Sequence, residues 1–80
     1  MIRLEEREEM KYAVVIEKAR RNFSAYVPDL PGCIATGRNL PDVRRHLREA
    51  IAFHIEGLKL GGLPVPKPRT RCEQVALKRA

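Results

Sequence analysis

The sequence predicts an α+β domain: a three-stranded antiparallel meander, one helix packed on the sheet, then a final strand, in the order β-β-β-α-β. Three observations carry this expectation. Two runs near the start alternate apolar and polar residues with a period of two, and one stretch in the middle repeats its apolar residues at helical spacing. A passage with three prolines in six residues, Leu63 to Pro68, then forbids helix and leaves room for one more extended segment.

Residues 1–10 mix glutamate and arginine between two methionines without a sustained apolar face, and read as an N-terminal extension to a single domain over 11–80. Tyr12, Val14 and Ile16 then alternate with Ala13, Val15 and Glu17, as in a half-buried strand. Phe23, Ala25 and Val27 alternate with Ser24 and Tyr26 in the same way, and the polar stretch from Lys18 to Asn22 between them is a hairpin connection. Pro28, Pro31 and Gly32 make 28–32 a fixed structural turn, because each proline locks its own φ and holds its predecessor extended. A short third strand is expected over Cys33 to Thr36.

The helix begins where Asn39 is followed three residues later by Asp42, a variant of the capping box, with Pro41 in the first turn where its missing N–H costs nothing. Val43, Leu47, Ala50, Ile51, His54 and Leu58 share one stripe. Arg44, Arg45, Arg48, Glu49, Glu56 and Lys59 fall on the other side. Gly57 is expected to let the helix approach the sheet closely, and Gly61 and Gly62 to end it. The alternation of Val75 and Leu77 makes Cys72 to Lys78 the last strand.

Eighty residues hold one domain, and a chain this short buries only about 60–65% of the surface its unfolded form exposes. Self-association, as a dimer or tetramer, is therefore expected, through an exposed strand edge or the apolar margin of Phe53, Ile55 and Leu60. No apolar run approaches the ~18 residues of a membrane span, so a soluble cytoplasmic protein with no membrane association is expected. Cys33 and Cys72 lack the close pairing of a redox or zinc motif and read as reduced, mostly buried thiols.

Candidate chemistry is sparse. Asp29 stands in the rigid turn, but metal-dependent phosphodiester hydrolysis needs several converging carboxylates, and turn capping explains this one better. His46 and His54 point about 80° apart and lie about 12 Å apart along the helix, too far for one metal. His54 reads as a core or interface imidazole and His46 as a surface residue. Ser24 is the sole serine and has no activating neighbours, and no glycine-rich phosphate loop is present. The expectation is a protein that is not an enzyme, with no cofactor and no bound metal. A net charge of +6, with eleven arginines, leaves nucleic acid as an alternative partner, bound through Arg44, Arg45 and Arg48.

The segments KYAVVIEK, FSAYVPDLPGCIATG and LREAIAFHIEGLKLGGLPVPKP, in this order, resemble the HicB family, the antitoxin half of bacterial and archaeal type II toxin–antitoxin pairs. The resemblance covers roughly Lys11 to Lys78. It implies a truncated ribonuclease H-like domain without the acidic catalytic set. It further implies that the chain inhibits a HicA-like toxin, a small basic ribonuclease, by masking its active site. Many family members add a C-terminal DNA-binding domain, and a short form without one is expected here. The expected contact surface is the PDLPG turn with its neighbours: Glu17, Tyr26, Asp29 and Leu30. Where the family often has an acidic helix entrance, this chain has Arg38, Arg44 and Arg45, so a basic partner would have to meet acids such as Glu17, Asp29 and Glu49.

Overall fold

A computed structural model describes residues 10–79. Strands β1 (Val15–Lys18), β2 (Phe23–Tyr26) and β3 (Ile34–Gly37) form a meander in the order β1-β2-β3, followed by helix α1 (Leu40–Leu60). Both strand pairs are antiparallel, with Ile16 opposite Ala25 and Ala25 opposite Ala35. The period of two then decides which side chains face the helix. Ile16, Ala25 and Ala35 take that face, with Tyr12, Val14, Phe23 and Val27 continuing it. The hairpin between β1 and β2 closes where the Ala19 N–H donates to the Asn22 carbonyl at 2.8 Å.

Local signals set both ends of α1. Asn39 stands at φ −149°, ψ 176°, and its side-chain oxygen accepts from the Asp42 N–H at 2.8 Å, satisfying one of the donors a helix start leaves free. At the other end Gly62 takes φ 70° and donates to the Lys59 carbonyl, while the Leu63 N–H reaches back to the Leu58 carbonyl. This is the Schellman arrangement, and the left-handed residue in it is one of the two glycines that the sequence supplies.

The core is small: Ala25, Val27, Leu30, Cys33, Val43 and Leu47 are buried. Ala50 and Ile51 pack against it from α1, as the predicted stripe requires, and His54 and Leu58 are half-buried further along. Close approach of helix and sheet depends on Gly37, not on the expected Gly57. A Cβ on Gly37 would lie 2.3 Å from the Val43 backbone nitrogen, whereas one on Gly57 would meet nothing within 4 Å. Gly57 falls outside the stripe and is exposed.

Two further expectations are corrected. Cys72 to Lys78 forms no strand ladder, and every residue over 71–79 is exposed. Alternation marks a segment able to enter a sheet, but a strand exists only beside a partner, and this chain lays none of its edges against it. Cys33 is buried as expected, while Cys72 is exposed. Burial raises the Cys33 thiol pKa above its ordinary value, which leaves it protonated and inert at neutral pH.

Candidate protein interface

The PDLPG segment is two successive β-turns. The Leu30 N–H donates to the Val27 carbonyl at 3.0 Å, and the Cys33 N–H to the Leu30 carbonyl at 3.0 Å. Pro28 and Pro31 each occupy the second position of their turn, where a fixed φ is an advantage. Gly32 has φ 84°, the left-handed third position of a type II turn, and the Val27 N–H closes the whole loop onto the Cys33 carbonyl at 3.1 Å. Leu30, between the turns, drives its side chain into the core and is 0% exposed. That burial removes it from the expected contact surface and makes it the plug that holds the turn in place.

Asp29 stays at the surface but is fully engaged. Its Oδ2 accepts from the backbone N–H groups of Arg69 and Thr70 at 2.8 and 2.9 Å, and its Oδ1 from the Thr70 hydroxyl at 2.8 Å. These donors hold its pKa below the ordinary value, the Thr70 amide contributing most, then the Arg69 amide. Tyr12 donates its hydroxyl to the Pro66 carbonyl, and burial, followed by the nearby Asp29 charge, raises the Tyr12 pKa. The proline-rich exit is thus a strap, fastened to the turn at Asp29 and to the segment leading into β1 at Tyr12. Sequence spacing gave no hint of it, because the partners are separated by some forty positions.

On the sheet face away from α1, Val15, Tyr26 and Ile34 form one cross-strand row, and Glu17, Ser24 and Thr36 the next. Tyr26 is 42% and Ile34 69% exposed. Two of the predicted contact residues, Glu17 and Tyr26, therefore share this open face. Glu17 is the one charged side chain among these six residues. Val15 and Ile34 belong with them, and the register supplies the signal: both stand opposite Tyr26.

The three helix arginines do not form one patch. Arg44 and Arg48 flank the groove between β1 and α1, which is lined by Lys11, Tyr12, Val14, Ile16, Leu47 and Ile51. Arg45 turns to the β3 side and pairs with Asp42 at 3.3 Å. Arg38 pairs with the same carboxylate at 3.2 Å. Hydrogen bonding to Arg38 is the main cause that holds the Asp42 pKa below its ordinary value. His46 is more than the expected surface residue, since its Nδ1 donates to the Thr36 carbonyl at 2.6 Å and ties α1 to β3. Among the described residues no three His, Cys, Asp or Glu side chains gather as a metal site, and no helix is long and apolar enough to cross a membrane.

Residues 12–78 match the family described as HicB_like antitoxin of bacterial toxin-antitoxin system. The chain belongs to the HicB-like antitoxin family. It is also similar to a chain of the solved HicA3 and HicB3 toxin-antitoxin complex, with 37% identity and a TM-score of 0.66 over 75% of this chain and 70% of that one. An uncharacterized 14.9 kDa protein of Haemophilus phage HP1 is 40% identical over 58 residues, 72% of this chain but only 44% of its own length. The UPF0150 protein Ta0767 of Thermoplasma acidophilum is 36% identical over 59 residues, 72% of this chain and 86% of the relative. The matched HicB-like region takes in the meander, the turn, α1 and the strap.

Proposed function

We propose that this HicB-like domain is a cytoplasmic, non-enzymatic inhibitor that binds a small HicA-type ribonuclease and masks its active site through the open face of the sheet. The observation that carries this reading is the apolar row Val15–Tyr26–Ile34, bordered by Glu17 and left uncovered by α1. Inhibition by masking needs a rigid, complementary surface and no chemistry of its own. The double turn and the hydrogen-bonded meander provide the rigidity. An exposed tyrosine beside an isoleucine provides the kind of anchor on which interfaces concentrate their binding energy.

Charge supports the same face. The chain as a whole carries +6, which repels a basic partner at long range, yet the open face presents Glu17 as its sole charge among the six row residues. The Asp29 carboxylate at the turn is spent on the strap, so its role in this reading is to hold the turn rather than to touch the toxin. The similarity to a chain of the HicA3 and HicB3 complex supports the choice of partner class.

The test is co-expression of the tagged chain with the small basic protein encoded beside it, followed by a ribonuclease assay on the purified pair. A stable complex whose nuclease activity returns only when the two proteins are separated supports the reading. A neighbour that neither co-purifies nor loses activity on mixing rules it out.

A further inference from the structure

We propose that the end of the domain where the β1–β2 hairpin meets the start of α1 binds double-helical RNA through its phosphates. This inference goes beyond the toxin-binding reading and does not depend on it, because the surface lies at the opposite end of the strands from the row Val15–Tyr26–Ile34. The register assembles it. Lys18, Phe23 and Gly37 form the last cross-strand row, the hairpin tip beyond them carries Arg20 and Arg21, and β3 leaves that row through Arg38 into the first turn of α1. Asn22 from the tip and Arg38, Arg45 and His46 from the helix entrance line one cleft of about 320 Å³. The helix arginines alone make no patch, but Arg45 joins this one. Three stretches distant in sequence thus bring Lys18, Arg20, Arg21, Arg38 and Arg45 to one end of the fold, and all five are exposed.

Asp42 is the carboxylate among these cations, and it orders them without cancelling them. It is 17% exposed and accepts from Arg38 at 3.2 Å and from Arg45 at 3.3 Å, whereas the side chains of Arg38 and Arg45 stay 89% and 60% exposed. His46, whose Nδ1 is spent on the Thr36 carbonyl, accepts at Nε2 from Arg45 at 3.4 Å and holds that guanidinium over the cleft. Arginine forks fixed in this way keep further N–H groups for phosphate oxygens, and the positive end of the α1 dipole points to the same place. Glu17 stands one row inward and on the other face of the sheet. Cations spread over an open end suit a ligand whose charges repeat, as phosphates do along a nucleic acid. A single strand needs an exposed aromatic to stack on, and here Phe23 is half-buried and Tyr26 lies in the far row. The major groove of B-form DNA takes the side of a helix or a ribbon. One side of α1 is packed on the sheet, and its free side carries Glu49 and Glu56. What the surface offers is the short tip 19–22 and a helix end. An A-form duplex has a wide, shallow minor groove open to such a tip, with phosphates beside it for the helix entrance.

The test uses the full chain and a blunt RNA duplex of about 18 base pairs and arbitrary sequence. Fluorescence anisotropy should show affinity falling by about 100–300-fold between roughly 50 and 200 mM salt, the dependence that about four phosphate contacts produce. R20E/R21E should weaken binding at least about 30-fold at low salt and R38A/R45A at least about 10-fold. K78E/R79E makes the same change of net charge as R20E/R21E on the exposed tail and should shift affinity by less than about 3-fold. Duplex DNA of the same sequence and single-stranded RNA should each bind at least about 10-fold more weakly. Amide shifts on adding the RNA duplex to wild-type protein should concentrate at 18–22 and 36–46, and they decide the matter should a variant fail to fold. Equal losses in R20E/R21E and K78E/R79E, or DNA or single strand bound as tightly as duplex RNA, would overturn the proposal. So would shifts centred on Val15, Tyr26 and Ile34, or no binding at low salt.

Discussion

Gly37 and Gly57 should respond to alanine with opposite signs, and the reason lies in where each would place a methyl group. On Gly37 the new Cβ would stand 2.3 Å from the Val43 nitrogen, 2.7 Å from the Val43 Cα and 2.9 Å from the Asp42 carbonyl carbon. All three are backbone atoms, which no rotamer change can move aside. Relief to an ordinary 3.4 Å contact requires α1 and β3 to part by about 1 Å at the first turn of the helix. That displacement loosens Val43 and Leu47, both buried, and pulls on the Asn39 cap. Overpacking of this kind costs about 3 kcal/mol, the upper end of its usual range. An 80-residue chain has roughly 4–12 kcal/mol of total stability, so the loss is a large share of it. At Gly57 the methyl would be exposed and free of neighbours within 4 Å, so Gly57→Ala should gain about 0.5–1 kcal/mol from helix propensity. Urea unfolding at one fixed protein concentration reads both variants. With a slope near ~1 kcal/mol per molar, the midpoint should fall by about 2–3 M for Gly37→Ala and rise by about 0.5–1 M for Gly57→Ala. A Gly37→Ala midpoint within about 0.5 M of wild type would refute the close-approach argument.

Asn39→Ala should cost about 1 kcal/mol through loss of the cap on Asp42, read in the same urea titration. Tyr12→Phe should cost about 0.5–1.5 kcal/mol by leaving the Pro66 carbonyl without its donor, and a double-mutant cycle with Asp29→Ala should be non-additive because both residues fasten one strap. The pH dependence has a definite sign. Asp29 titrates below its ordinary value of 3.8 in the folded chain, so its contribution is fully present above that value and is lost as pH falls through the folded pKa. Amide exchange at Arg69 and Thr70, corrected for intrinsic rates, should therefore accelerate below about pH 4 in the wild type and already be fast at pH 7 in Asp29→Ala.

The features legible in the sequence were those set by near neighbours. Asn39, Pro41 and Asp42 announce the helix start, and Gly61 with Gly62 its end, because capping is decided within one turn of chain. The two prolines and Gly32 likewise specify both turns of the PDLPG segment. What escaped were relations between distant residues. Leu30 sits among surface-seeking turn residues and yet fills the core, and Asp29 reaches a strap some forty positions away. The steric demand at Gly37 comes from Val43 across the fold, and the glycine with the better helical location, Gly57, turned out to face open space. The final strand is not formed within this chain for a related reason: alternation at Val75 and Leu77 records an ability to pair, while pairing itself requires a partner edge beside it. On the open sheet face, the positions of Glu17 and Tyr26 follow from the alternation in the sequence, whereas that of Ile34 needs the register that sets it beside Tyr26.

The central claim, that the open sheet face holds the toxin, is tested most directly by titrating the cognate small ribonuclease with wild-type chain, Tyr26→Ala and Ile34→Lys while following RNA cleavage. Both side chains are exposed, so each variant should stay folded, with stability within about 1 kcal/mol of wild type. The account predicts stoichiometric inhibition by the wild type and an inhibition constant at least about 30-fold weaker for each variant. Inhibition by both variants at the wild-type constant would contradict it and move the toxin to another surface.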